Sequence, residues 1–225
     1  NCELMKQLYF LDENAVICSW LPQYHDMGLI NSRLSAVYGG GVSVLTSPVS
    51  FIRDPMIWLE MIDRYSVTMS TGPNFSYDHL LDRLDSDRLQ DLDLSSLKVL
   101  VNGAEPINSE VCSRFFDELQ TYGLSGTCIC PAYGMAETTL MFSASCADEK
   151  LVTSFYDNRS YTACGAVAKE HQCLIVSPDS SQDLMDKYVG EIWCKGPSVA
   201  QGYWDNEAAT KETFHAYTKD GQGPF

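Results

Sequence analysis

The residues best equipped for chemistry fall in a few short, turn-forming stretches. The first is Pro131 to Leu140, PAYGMAETTL, which follows an apolar run, Thr127 to Cys130, that reads as a short buried strand. Proline offers a β-ladder no N–H, so the chain is expected to leave its sheet at Pro131. Beyond it come a ring at Tyr133, a glycine at Gly134, one carboxylate at Glu137 and hydroxyls at Thr138 and Thr139. In an open α/β sheet, ligands bind outside the carboxyl ends of the strands. A ring placed there can stack on a base, a glycine permits close backbone approach, and a lone carboxylate can hold Mg²⁺ on phosphates. An ordinary strand exit with a solvated glutamate is the plainer reading of this stretch taken alone.

Four further stretches have the same strand-then-turn character. Ser19 to Ile30, SWLPQYHDMGLI, sets His25 and Asp26 between a strand and a helix, on the same side of the sheet as Glu137. An imidazole there can hydrogen-bond a carboxylate or phosphate oxygen, and Asp26 can cap the helix; capping with a merely packed histidine is the bland alternative. Val101 to Ile107, VNGAEPI, offers backbone groups to a flat ligand or simply makes a tight turn. Thr71 to Phe75, TGPNF, also ends a strand, where a plain Gly-Pro turn competes. Gly190 to Trp204, GEIWCKGPSVAQGYW, fits a turn-rich β surface.

Positioning these stretches requires alternating strands and helices. Apolar runs at Ala15–Trp20, Val42–Leu45, Val67–Thr71, Leu97–Val101 and Thr127–Cys130 read as strands. Between them lie helical stripes: Ile30, Leu34 and Val37 up to the Gly39–Gly41 stop; Trp58, Met61, Ile62 and Tyr65 behind a cap at Asp54-Pro55; Tyr77, Leu80, Leu81 and Leu84 behind Asn74; and Val111, Phe115 and Leu119 behind Asn108 or Ser109. The charges from Asp78 to Asp93 are the solvated face of their helix. The fold class is therefore α/β, a layered and mostly parallel sheet with flanking helices. A smaller β-rich part follows, with strands at Gln172–Val176 and Gly190–Lys195 around a turn-rich stretch from Ser177 to Asp186. We divide the chain into an α/β part (1–143), an aperiodic connection (144–163) and a truncated β-rich part (164–225).

Composition narrows the function. Hydrophobic residues make up 45% of the 225 and charged ones 20%, the proportions of a globular protein. A net charge of −15 with no basic stripe argues against nucleic acid as partner. No apolar run approaches membrane-spanning length and no targeting segment is visible. Nine scattered cysteines without a CxxC pair argue against zinc and for free thiols in a reducing cytoplasm. The first residues lack a cap or turn and the last form a loop, as in an internal piece of a longer protein.

In their order, WLPQYHDMGLI, PNF with the following Tyr77, NGAEPI, YGMAETTL and GEIWCKGPSVAQGYW resemble the core of the acyl-adenylate-forming enzymes, most closely the fatty acyl-AMP ligases. Ala136 before Glu137 favours that branch, since the wider superfamily usually has threonine there. The resemblance implies ATP-dependent activation of a fatty acid to an acyl-adenylate, with transfer to the phosphopantetheine thiol of an acyl carrier protein. It implies that Tyr133 stacks on adenine, with Gly103, Ala104 and Glu105 along its edge and Gly134, Met135, Ala136 and Thr138 around the nucleotide. Glu137 would hold Mg²⁺, and His25, with Asp26, would lie by the carboxyl and α-phosphate. Thr71, Gly72, Pro73, Asn74 and Phe75 would wall the acyl tunnel. Three features depart from the pattern. The lysine-bearing phosphate loop, the ribose-binding aspartate and the C-terminal lid are missing, so this chain alone is expected not to turn over. Asn31 stands where the family usually has glycine. The connection from Leu140 to Gly165 is shorter than the acyl-AMP ligase insertion, which keeps CoA open as the acceptor. A non-catalytic lipid-sensing or interaction module of the same fold is the third reading.

Overall fold

The computed structural model describes residues 1–146, 149–184 and 188–225. Helix α1 (Cys2–Leu8) leads into β1 (Val16–Ser19), then a π-type helix (Met27–Leu34) that continues as α2 (Ser35–Gly39). The wide turn has a local cause: the Ser32 and Ser35 hydroxyls donate to the carbonyls of Met27 (3.3 Å) and Ile30 (2.8 Å), five residues back in each case. The chain goes on through β2 (Val42–Leu45), α3 (Pro48–Arg53), α4 (Met56–Arg64), β3 (Met69–Gly72), α5 (Asn74–Leu81), α6 (Ser86–Leu89), β4 (Val99–Asn102) and α7 (Ser109–Leu119). Next come β5 (Ile129–Gly134), a 3₁₀ turn (Ala136–Thr138) and β6 (Met141–Ala144). The sheet runs β2-β1-β3-β4-β5-β6, closed at the far edge by β9 (Ala166–Val167), and is parallel from β2 to β5. Every residue of β3 and β4 is buried, as a sheet covered by helices on both faces requires.

Aromatic packing organises the end of the sheet near β1 and β3. Trp20 stacks on Phe51 at 3.9 Å, and Trp58 meets Trp20, Phe51 and Tyr77 edge-on. The Trp58 indole N–H donates to Ser70 Oγ at 2.8 Å, so the ring is buried without an orphaned donor. Helix α7 turns Val111, Phe115 and Leu119 into the core, and its Asn108 cap accepts from the Glu110 amide.

Several expectations need correction. The strand does not end at Pro131: β5 continues to Gly134 by changing partner. Up to Pro131 it runs parallel to β4, and from Ala132 it pairs antiparallel with β6, with a register shift at Tyr133/Gly134. The missing N–H falls where the new ladder begins, and the Pro131 carbonyl still accepts from Ser145 N–H at 3.0 Å. Asn74 does not cap α5, because its carbonyl oxygen accepts from the Asn108 amide at 3.0 Å. Asp54 does reach the Met56 amide, but it also takes Arg88 bidentately at 2.9 Å, and α3, capped by Ser47, precedes it. The charges after Leu81 do not continue one helical face; Asp85 caps the separate α6.

The aperiodic connection holds a hairpin, β7 (Thr153–Tyr156) and β8 (Arg159–Thr162), turning at Asp157 and Asn158 with φ of 48° and 57°. Both strands are almost wholly exposed, so no period-2 apolar face marks them. Strand β10 (Gln172–Val176) lies between β11 (Asp183–Leu184) and β12 (Glu191–Lys195) in a separate sheet. Part of the turn-rich stretch 177–186 lies outside the described residues. Helix α8 (Glu207–Phe214), capped by Asn206, follows in a segment without a sequence-based assignment.

Candidate functional site

A cavity of about 270 Å³ opens where β1, β4 and β5 deliver their carboxyl ends. Its mouth brings together His25 and Asp26 from the turn after β1, Gly103 and Ala104 after β4, and Tyr133 to Ala136 from β5 and its exit. Its floor is buried and largely apolar, with Met5 and Tyr9 of the first helical segment, Met27, Val101 and Met141.

Local structure fixes each mouth residue. Asp26 starts the π-type helix, and its Oδ1 accepts from the Met27 amide at 2.7 Å. The same oxygen lies 2.7 Å from His25 Nδ1. The Met27 N–H is shared, donating also to His25 Nδ1 at 3.1 Å. Nδ1 thus accepts a backbone proton, and Nε2 has no hydrogen-bond partner among the described residues. Gly103 is required by proximity: a Cβ there would lie 2.7 Å from the Ala132 carbonyl oxygen. Ala104 adopts φ 69°, a left-handed conformation costly for a residue with a side chain. Burial pushes the Tyr133 phenol above its ordinary pKa, so the ring presents a neutral face.

Other candidate residues lie outside the cavity lining. Glu105 turns away, its Oε1 accepting from the Phe75 amide at 2.5 Å. Thr71 is buried and its hydroxyl donates to the Val101 carbonyl; Gly72 is packed against Ser76 and Trp58; Phe75 meets Trp20 edge-on; Asn74 is committed to Asn108. Among Thr71, Gly72, Pro73, Asn74 and Phe75, none lines this cavity. Thr138 is buried and bonded to the Met135 backbone. Glu137 follows the mouth residue Ala136, but its Oε1 accepts from the Tyr203 hydroxyl at 2.5 Å. The segment bearing Tyr203 grips the same turn twice more: Ala200 N–H donates to the Glu137 carbonyl at 2.7 Å, and the Thr139 hydroxyl to the Ser198 carbonyl at 2.8 Å. Asn1 holds it from the other side, donating to the Thr138 carbonyl and accepting from the Met141 amide. Tyr203, Asn1 and the floor residues Met5 and Tyr9 are not deducible from local sequence, since each acts on residues far along the chain.

Among the described residues, no group of three or more His, Cys, Asp or Glu side chains could hold a metal ion. Glu137 keeps Oε2 for a cation, which suits an ion carried mainly by phosphates and water. No helix among the described residues is long and apolar enough to cross a membrane.

The chain is 34% identical to the medium-chain-fatty-acid–[acyl-carrier-protein] ligase JamA of Moorena producens, with 100% of this chain and 42% of that protein covered. It is 32% identical to the long-chain-fatty-acid–AMP ligase FadD23 of Mycobacterium tuberculosis, covering 95% of this chain and 40% of the relative. The crystal structure of the fatty acyl-adenylate ligase from L. pneumophila, in complex with acyl adenylate and pyrophosphate, superposes with a TM-score of 0.91 at 32% identity, over 99% of this chain and 42% of that one. The chain thus spans about two fifths of the length of the relatives it matches. The family of AMP-binding enzymes matches residues 1–204, and the chain belongs to that family.

Proposed function

We propose that the protein carrying this chain activates a fatty acid with ATP and passes the acyl group to the phosphopantetheine thiol of an acyl carrier protein. One observation carries this reading: a polar mouth around His25, Asp26 and Tyr133 opens onto a buried floor of methionines. That is a site for a ligand with a charged head and an apolar tail. The likeness to fatty-acid ligases supports the same substrate class. In the first step a carboxylate oxygen attacks the α-phosphorus, the bond to pyrophosphate breaks, and an acyl-adenylate forms. In the second a thiol sulfur attacks the acyl carbonyl and AMP leaves. Neither step needs a protein nucleophile, so positioning and charge neutralisation are what the protein supplies.

In this reading Tyr133 stacks on adenine, and the tight Gly103–Ala104 turn lets backbone groups reach its edge. Gly134, Met135 and Ala136 border the nucleotide. His25, oriented by Asp26, offers Nε2 to the carboxylate or α-phosphate. Mg²⁺, held through Glu137, would neutralise phosphate charge. Thr138 and Glu105 support the site from behind, through the Met135 backbone and the Phe75 amide. Thr71 to Phe75, outside the lining of this cavity, would help wall the acyl tunnel. CoA is the alternative acceptor, favoured by the short connection from Leu140 to Gly165.

The test uses the full-length protein with labelled fatty acid, ATP and Mg²⁺. Acyl-adenylate should accumulate in the presence of CoA and be discharged by a phosphopantetheinylated carrier, and Glu137→Gln should suppress adenylate formation. Efficient acyl-CoA synthesis would overturn the carrier assignment. Equal activity of Glu137→Gln and wild type would move the metal elsewhere.

A further inference from the structure

The Glu137 carboxylate is held by a distant segment. The Tyr203 hydroxyl donates to its Oε1 at 2.5 Å, from 66 residues along the chain. Tyr203 is itself anchored on α8. Its amide donates to the Thr210 hydroxyl at 2.8 Å, which donates back to the Tyr203 carbonyl at 3.3 Å. Its ring meets Phe214 edge-on, with centroids 5.2 Å apart, and the Thr213 hydroxyl lies beside the phenol oxygen. The other two bonds between these segments, from the Ala200 amide to the Glu137 carbonyl and from the Thr139 hydroxyl to the Ser198 carbonyl, fix only the backbone of the turn. Among the described residues, no lysine, arginine or histidine forms an ion pair with Glu137.

We propose that Tyr203 is a positioning residue, whose hydroxyl holds the Glu137 carboxylate so that Oε2 can take the divalent cation of the nucleotide. The inference rests on the reading of Glu137 as the cation ligand. An untethered glutamate side chain turns about three bonds, and ordering it at the moment of binding subtracts from cation affinity. The bond from Tyr203 orders it beforehand. An ionised carboxylate has about four acceptor positions on its two oxygens; the phenol takes one on Oε1 and leaves Oε2 open. The chemistry of the donor matters as much as its place. A lysine or arginine here would offset the carboxylate charge and compete with the cation, whereas a neutral phenol orients the group and leaves its full charge for the ion. Partners that hold a metal ligand from behind typically set metal affinity by about 10–100-fold.

The experiment reads binding rather than turnover. On the full-length protein, calorimetry measures the affinity of α,β-methylene-ATP, which cannot release pyrophosphate, once with Mg²⁺ and once with EDTA. The ratio of the two affinities reports the cation alone. Tyr203→Phe keeps the ring against Phe214 and removes only the hydroxyl. It should lower the Mg²⁺ ratio about tenfold and leave the affinity in EDTA unchanged. Glu137→Gln should lose most of the ratio, and adding Tyr203→Phe to it should cost nothing further, because the hydroxyl then has no cation ligand to place. A merely structural tyrosine would weaken nucleotide binding equally with and without Mg²⁺, and as much in the Glu137→Gln background as in wild type; either result overturns the inference. So does a Tyr203→Phe ratio equal to that of wild type while Glu137→Gln loses it, and that result leaves the proposed function standing. A ratio retained in Glu137→Gln, or absent from wild type, would remove the cation role of Glu137 and this inference together.

Discussion

Gly134→Ala tests whether the bulge after Pro131 is the device that shapes the site. A Cβ at Gly134 would sit 1.6 Å from the Leu140 carbonyl oxygen and 3.0 Å from Met141 Cα, all of it backbone. No rotamer change relieves such a contact; β5 or β6 must shift by roughly 2 Å to restore ordinary van der Waals distance. That shift breaks the ladder at Gly134↔Met141, where the register already changes. Overpacking costs about 1–3 kcal/mol, and one lost backbone hydrogen bond adds about 1 kcal/mol. A loss of about 3 kcal/mol follows, or a melting temperature lower by roughly 6–12 °C for a protein of this size. The control is Gly39→Ala in α2, where the added Cβ would come no closer than 3.5 Å to any neighbour. It should be neutral or gain a few tenths of a kcal/mol from helix propensity. Urea unfolding followed by tryptophan fluorescence compares the two. A Gly134→Ala midpoint within about 1 kcal/mol of Gly39→Ala would refute the packing reasoning.

Two other outcomes follow from the charges and thiols. Arg88 bonds Asp54 and Glu60, and its guanidinium holds the Asp54 carboxyl below the ordinary carboxylate range. Because the folded pKa is depressed, this stabilisation is fully present above the unfolded value of about 3.9 and is lost as pH falls through the folded one. Arg88→Met should therefore cost under about 1 kcal/mol at pH 7, since the pair is partly exposed, and nothing at acid pH. A gap that persists undiminished below pH 3 by urea titration contradicts the pairing. Burial pushes the Cys18, Cys128 and Cys130 thiols up to about 12, and Cys112 to about 11. Iodoacetamide at pH 8 should leave all four unmodified in the native protein and alkylate them in urea, read by peptide mass spectrometry; native modification of Cys18 would contradict its burial.

What the sequence determined by itself was the alternation of elements and the placing of turns. Strands buried on both faces appear as continuous apolar runs, and helices with one inward face repeat every three or four residues, so both are local signals. Val42–Leu45 and Gln172–Val176 form strands over the residues their composition marks, and Asn108 caps α7 because an Asx side chain reaches amides two and three residues on. His25, Asp26, Gly103, Ala104, Tyr133, Gly134, Met135 and Ala136 meet at one cavity because each lies at or beyond the carboxyl end of a strand, and parallel topology brings those ends to one edge. Only tertiary structure decided which partner each group takes. Pro131 stays in the sheet because β6 approaches from the other side, and Asn74 serves Asn108 rather than its own helix. The exposed β7–β8 hairpin buries neither face and so left no apolar period to read. Glu137 meets Tyr203, Asn1 latches the 138–141 turn, and Tyr9 and Asn31 come to share one cavity floor. These pairings depend on where distant segments are brought by burial of the core, and the free energy that selects them resides in no local stretch of the chain.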